Sequence, residues 1–292
     1  MDFQQFRVAH SKRVKLADYD SAFTGEWSDE SAAQHEIQAV TAELAKYQDM
    51  LFAHEAHAVL MLFQSMDASG KDEAIQDVLS GIDPQGCKAT KFGTPSSQEL
   101  KHDYLRRFVK ALPESGQIGI FNRSYYEQLT GDRVHRERLK TWDMQTKVTG
   151  DALWRQRFEE VNNFERYLVN NGIVVIKFFL NVSKQVQGRR LLERTQLPEK
   201  KWQFSDSDME DRKRWQQFMK VYEDTLTHTS TKAAPWHIIP ADHRWFVHLA
   251  VSSITASVLS SLHSKYPALD SQQRESMAAA QRQLEKEVNR LK

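Results

Sequence analysis

Cysteine is almost absent: Cys87 is the only one in 292 residues. No intrachain disulfide can form, and a cysteine-ligated zinc site has no support. No run of 18 apolar residues occurs and mean hydropathy is −0.63, which argues against a membrane span. The first residues, MDFQQFRVAHSKRVK, lack the apolar centre of a secretory signal. Eleven glycines and seven prolines are too few for a collagen-like or low-complexity chain. A surplus of one charge is missing too: 40 basic against 39 acidic residues give a net +1, so non-specific nucleic-acid binding is not expected. What is present, 40% hydrophobic and 10% aromatic residues, suffices for a packed core. The expectation is a soluble, cytoplasmic globular protein that has neither nucleic acid nor membrane as a partner.

Hydrophobic periodicity supplies the elements. After a polar N-terminal extension over 1–28, expected to pack late, Ile37, Val40, Leu44, Tyr47 and Leu51 recur at helical spacing within 28–57, with Ser28 as N-cap. Residues 58–63 (AVLMLF) form a short apolar run, as a strand buried on both faces requires. Further strands are expected within 83–97 and at 118–121, 173–180 and 236–239. Helices are expected at 98–112, 151–171, 183–195, 206–227, 245–263 and from 270 onward. Alternating strands and helices, without internal repeats or a linker, predict one three-layer α/β domain with a mostly parallel sheet and helical additions.

The segment after the first strand reads Gln64-Ser65-Met66-Asp67-Ala68-Ser69-Gly70-Lys71-Asp72-Glu73. A tight polar loop between strand and helix, ending in Gly-Lys, can wrap phosphate with backbone N–H groups while the lysine neutralises it. The strict pattern fails twice, with Ser65 at the first glycine and Asp72 at the metal-binding hydroxyl. Asp67 is a carboxylate that can hold Mg²⁺ in place of that hydroxyl. The plainer alternative is a glycine turn with Ser69 or Asp72 capping the helix.

Together with MDASGKD at 66–72, the runs IGIFNRSYYEQLTGDRVH at 118–135 and YEDTLTHTSTKAAPWHIIPAD at 222–242 resemble the polyphosphate kinase 2 family. Further likeness lies in Lys12-Arg13-Val14, Asp18-Tyr19-Asp20, Asp83-Pro84-Gln85-Gly86, HDYL at 102–105, VNNFER at 161–166 and KFFLNVSK at 177–184. It is greatest to single-domain members that act on nucleoside mono- and diphosphates. The resemblance implies a P-loop kinase-like αβα fold in one domain over 1–292. Its parts would be an N-terminal extension and helix (1–57), a phosphate-loop core (58–182), a lid (183–205) and the remaining core with C-terminal helices (206–292).

It also implies reversible transfer of the terminal phosphoryl group of inorganic polyphosphate to AMP or ADP, giving ADP or ATP, with guanine nucleotides as a further option. Mg²⁺ is the implied cofactor, with Mn²⁺ as a substitute, and a homodimer or homotetramer is implied. Asp67 would bind the metal, and Lys71, Arg123 and Glu127 would act with it in catalysis. Ser69, Gly70, Lys71, Asn122 and Arg123 would bind phosphate, and the lid residues Lys184, Arg189, Arg190 and Arg194 would bind polyphosphate. These residue types suit the chemistry, because phosphoryl transfer asks for positioning and charge neutralisation, and arginine forks bridge phosphate oxygens. Two departures from the family pattern, Tyr125 with Gln128 and the loss of a basic residue at Gly188, imply a shifted metal affinity or nucleotide preference.

Other readings stay open at this level. Arg189, Arg190 and Arg194 also suit a solvated helix face, Arg123 a structural ion pair and Glu127 a structural role. His54 and His57 lack a third metal ligand and read as surface or capping residues, His135 has no derivable role, and Cys87 reads as inert. Trp202, Trp215, Trp236 and Trp245 read as core or lid packing. The competing functions are an ATP-dependent nucleoside monophosphate kinase and a non-catalytic nucleotide or polyphosphate sensor.

Overall fold

The computed structural model describes residues 1–142 and 148–290. Five parallel strands, β1 (Ala58–Gln64), β2 (Cys87–Lys91), β3 (Ile118–Asn122), β4 (Ile173–Asn181) and β5 (Trp236–Pro240), form a sheet of order β2-β3-β1-β4-β5. Eleven helices accompany them among the described residues: α1 (Glu30–His54), α2 (Lys71–Leu79), α3 (Ser97–Leu100), α4 (Arg106–Val109), α5 (Gly131–Val134), α6 (Gly150–Asn170), α7 (Lys184–Gln196), α8 (Asp206–Lys213), α9 (Trp215–Thr229), α10 (Arg244–Ser261) and α11 (Ser271–Arg290). Helices α1, α2 and α10 pack together, as do α5, α6 and α9, making the two layers of the α/β architecture.

Every residue of β1 is buried, which is why its sequence shows no alternation. It pairs with β3 through Val59↔Ile118 to Phe63↔Asn122, and with β4 through Ala58↔Ile173 to Gln64↔Phe179. The chain leaves β1 toward one edge of the sheet and leaves β4 toward the other. The crevice at the carboxyl ends of β1, β3 and β4 is therefore the place where such sheets bind ligands.

Three expectations are revised. The helix expected over 98–112 is broken into α3 and α4, because the Asp103 carboxylate accepts the backbone N–H groups of Leu105 (3.0 Å) and Arg106 (3.1 Å) and starts a new turn. The helix over 206–227 is divided at Arg214, whose ψ of 17° departs from helical geometry. The cap of α1 is Asp29, not Ser28, with its carboxylate accepting from Ala32 N at 3.0 Å. The C-terminal helix expected from 270 is present as α11, none of whose described residues is buried, and positions 291–292 lie outside the described residues. No helix of the described residues is long and apolar enough to cross a membrane.

The N-terminal segment is not peripheral. Val8 N donates to Trp236 O at 2.8 Å, and Arg7 bridges His237 antiparallel, so the segment covers the free edge of β5. Val14 N and Leu16 N then donate to Thr227 Oγ1 (3.0 Å) and Glu223 Oε1 (2.8 Å) on α9. Phe6 is buried, with edge contacts to Phe23 and Phe246 at 6.1 and 6.0 Å. Phe6→Ala is expected to lower stability by about 3 kcal/mol through loss of buried ring area and the cavity left behind, measured by urea unfolding.

Candidate active site

The loop from Ser65 to Gly70 leaves the end of β1 and enters α2. Ala68 and Gly70 have φ of 58° and 99°, the left-handed region, and these reversals fold the loop tightly at the amino end of α2. A β-carbon at Gly70 would also stand 3.2 Å from the Arg190 guanidinium. The Ser65 and Ser69 hydroxyls bond each other across the loop. Lys71, the first residue of α2, is buried and reaches back across the loop. Its Nζ donates to Ser65 O (3.2 Å), Ser65 Oγ (3.1 Å) and Met66 O (3.0 Å), and stands 3.9 Å from Asp67 Oδ1. Burial pulls its pKa down, against the pull of Asp67.

Asp67 projects from the same loop to meet Arg123, which follows directly after β3, and the two side chains form an ion pair. Burial pushes the Asp67 carboxyl up, but Arg123 and Lys71 outweigh it and hold the group below its ordinary value. Arg123 has its pKa raised by Asp67, and its backbone φ is 63°. Its N–H donates to Phe63 O at 3.2 Å, which fastens the end of β3 to β1. Glu127 lies one turn further on, its carboxyl pushed up by burial against the pull of Arg123.

Asn122 serves the loop from below. Its amide donates to Asp72, whose carboxylate also accepts from Lys91 Nζ at 3.0 and 3.2 Å. Asp72, which replaces the usual hydroxyl, therefore ties α2 to β2 and β3.

The expected basic strip on α7 divides. Arg190 donates to Ser69 O in the loop and to Ala241 O (3.0 Å) and Asp242 O (3.2 Å) after β5. Arg194, one turn on, pairs with Asp208 of α8 at 3.0 Å. Lys184 and Arg189 are exposed and border neither cleft beside Asp67. The cause is helical phase: residues four apart share a face, whereas Arg189 is rotated about 100° from Arg190.

Residues not anticipated from the sequence complete the site. Gln187 Nε2 donates to Asp67 O at 3.0 Å, Lys91 braces Asp72, and Arg138 faces the cleft beside Glu127. His135, given no role above, binds Asp211 of α8 at 2.6 Å. Trp215 and Trp236 are buried as expected, but Trp202 is 78% exposed in the wall of the loop cavity. Arg138 lies just past the GDRVH run and was the most readable of these. Gln187 and Lys91 carry no local signal.

Two clefts meet at Asp67 and Arg123. One, about 250 Å³, runs between the β2 loop and α9 past Glu127, Asp132 and Tyr222. The other, about 330 Å³, lies over Gly70 and Lys71 and is closed by Arg194 and the 202–208 segment. A site with one carboxylate, one lysine and one arginine between two clefts can place a phosphoryl donor and an acceptor on opposite sides of a neutralised centre.

Fold and site thus define a P-loop-type phosphotransferase. The family model of polyphosphate kinase 2 matches residues 27–267. The ADP-polyphosphate phosphotransferase of Rhodopseudomonas palustris is 38% identical over 282 residues, spanning 96% of this chain and 98% of that protein. The AMP/ADP-polyphosphate phosphotransferase of Meiothermus ruber is 37% identical over 268 residues, spanning 90% and 95%. The crystal structure of polyphosphate kinase 2 from Arthrobacter aurescens TC1 superposes with a TM-score of 0.85 at 30% identity, covering 95% of this chain and 96% of that one. The chain belongs to the polyphosphate kinase 2 family, as its motifs led us to expect.

Burial, with Glu127 adding to it, pushes the Asp132 carboxyl up to about 6. The folded protein then binds more protons than the unfolded chain between pH about 4 and 6, so this group lowers stability as pH rises through that window. Asp132→Asn is expected to raise the melting temperature of the ligand-free protein at pH 8 by about 3 °C. The gain shrinks toward zero near pH 4, measured by scanning calorimetry at both pH values.

Proposed function

We propose that this chain moves the terminal phosphoryl group of inorganic polyphosphate onto AMP or ADP, reversibly, giving ADP or ATP. The observation that carries the reading is the Asp67–Arg123 pair, with Lys71 beside it, at the junction of two clefts. The names of the relatives give both nucleotide acceptors, as ADP-polyphosphate and AMP/ADP-polyphosphate phosphotransferases.

In this reading Lys71 exchanges the Ser65 and Met66 carbonyl oxygens for phosphate oxygens, and Arg123 steadies the group in flight. The bond between the terminal phosphorus and its bridging oxygen breaks as a terminal phosphate oxygen of the acceptor bonds to that phosphorus. The shortened polyphosphate leaves with the bridging oxygen and its negative charge. The attacking oxygen is already ionised at neutral pH, so no strong general base is required. Arg194 offers charge to the leaving chain, and α7 with the 198–205 segment excludes water and limits hydrolysis.

The donor set fits a hard divalent cation. Asp67 is a carboxylate kept ionised at the mouth of both clefts, with Glu127 in one of them. Such an ion needs only one or two carboxylates beside water and phosphate oxygens. Asp67 and Glu127 would hold Mg²⁺, or Mn²⁺ in its place, which supplies neutralisation of phosphate charge when bound.

The test incubates the chain with Mg²⁺ and long-chain polyphosphate, with AMP, ADP, GMP and GDP supplied separately, and resolves the nucleotides by chromatography. ADP and ATP are expected from AMP, and Lys71→Ala is expected to lose about 100-fold or more in kcat. Transfer from ATP to AMP without transfer from polyphosphate would overturn the reading in favour of a nucleoside monophosphate kinase.

A further inference from the structure

A charged pair with no contact to either cleft lies at the centre of the domain. Lys177, on β4 between Leu62 of β1 and Trp236 of β5, and Glu165, on α6, are both fully buried. The ammonium has three acceptors for its three protons: Glu165 Oε2 at 2.7 Å, Tyr126 OH at 2.8 Å and Thr229 O at 2.7 Å. The other carboxylate oxygen of Glu165 accepts from Tyr126 OH at 2.7 Å and from Tyr125 OH at 3.0 Å. Lys177 Nζ also lies 5.2 and 5.0 Å from the ring centroids of Tyr126 and Trp236.

Stability alone does not account for such a unit. Desolvating two charges offsets most of their attraction, and an apolar replacement of a buried pair is often neutral or stabilising. What the unit does supply is a fixed position. Both tyrosines belong to the 3-10 turn Tyr125–Gln128, which begins two residues after Arg123 and contains Glu127. Arg123 itself sits at φ 63°, a conformation that a residue with a β-carbon keeps only when its surroundings over-determine it. One restraint is its N–H bond to Phe63 O, and another is the Ser124 hydroxyl accepting from Tyr126 N at 3.3 Å. The Asp67 carboxylate holds the Arg123 side chain, and a further restraint is the pair of tyrosine side chains held on Glu165 and Lys177. Tyr125, singled out above as a departure from the family pattern, brings one more donor to the carboxylate.

We propose that the Lys177–Glu165–Tyr126 unit, extended by Tyr125, is a positioning device that holds Arg123 and Glu127 against Asp67 for phosphoryl transfer. It rests on the function proposed above and acts through Arg123 without touching substrate. Its removal therefore affects the transition state more than ground-state binding, so kcat falls while the KM for each substrate stays.

Two double variants test it. Lys177→Met with Glu165→Leu removes both charges together, and Tyr125→Phe with Tyr126→Phe removes the two hydroxyls but keeps the ion pair. Each is expected to lose about 10-fold or more in kcat with both KM values within about twofold. Circular dichroism and thermal melting identify the variants that fold. If the charge-free variant fails to fold, the tyrosine variant decides. Combined with Arg123→Lys, the losses are expected to be smaller than their product, since both changes act through one side chain. A folded variant with full kcat, or losses that simply multiply, would overturn the proposal. Hydrogen–deuterium exchange of the 121–129 segment gives a readout independent of turnover. It is expected to quicken in both variants while β1 stays protected, and unchanged exchange there also overturns the proposal. Absence of turnover in the unaltered chain counts against the proposed function alone, and the exchange result still decides this one.

Discussion

The contact between Asp67 and Arg123 is the one on which the site depends. It spans 56 positions of sequence and exists because β1 and β3 run parallel in register, so that the residues following each strand emerge side by side. Lys71 and Glu127 gain their place from the same register. A one-residue slip between β1 and β3 would offset the residues that follow the two strands and turn their side chains to the opposite face, parting Asp67 from Arg123. The apolar core thus fixes the position of the charges above it.

Electrostatics within the crevice then sort the groups by role. Asp67 stays ionised because two cations outweigh its burial, whereas Glu127 and Asp132, deeper along the same cleft, are pushed toward protonation. The cations are divided in turn. Lys71 and Arg123 face the centre, Lys91 is spent on Asp72, and Arg190 is spent on backbone carbonyls that join the loop to the end of β5. The loop after β1, with Ser65 in place of glycine and Asp72 in place of a hydroxyl, is therefore held by side chains around it.

Much of this was legible in the residues. The continuous apolar runs of β1 and β4 mark buried parallel strands because both faces of such strands are covered, and Gly-Lys after the first run marks the loop. The ordered motifs at 66–72, 118–135 and 222–242 lead to the family. The break between α3 and α4 was not legible, because Asp103 competes for backbone N–H groups that periodicity assigns to the helix. Nor was the anchoring of the N-terminal segment, whose polar composition hides four buried apolar residues, Phe6, Val8, Val14 and Leu16. The exposed Trp202 was misread for a related reason: tryptophan is usually buried, and only its neighbours in space show otherwise.

The sequence by itself determined the alternation of strands and helices, the polar loop after the first strand, the candidate residues Asp67, Lys71, Arg123 and Glu127, and the family. These are encoded locally, in periodicity and in short motifs. Only the tertiary structure decided which charges meet. Arg190 reaches the loop and Arg189 does not, because of a 100° step of helical phase relative to a partner on another element. Lys177 and Glu165 find each other, and the two tyrosines beside Arg123, because β4, α6 and the turn after β3 converge in the core. Pairing energies depend on distance and burial, and neither is a property of position along the chain.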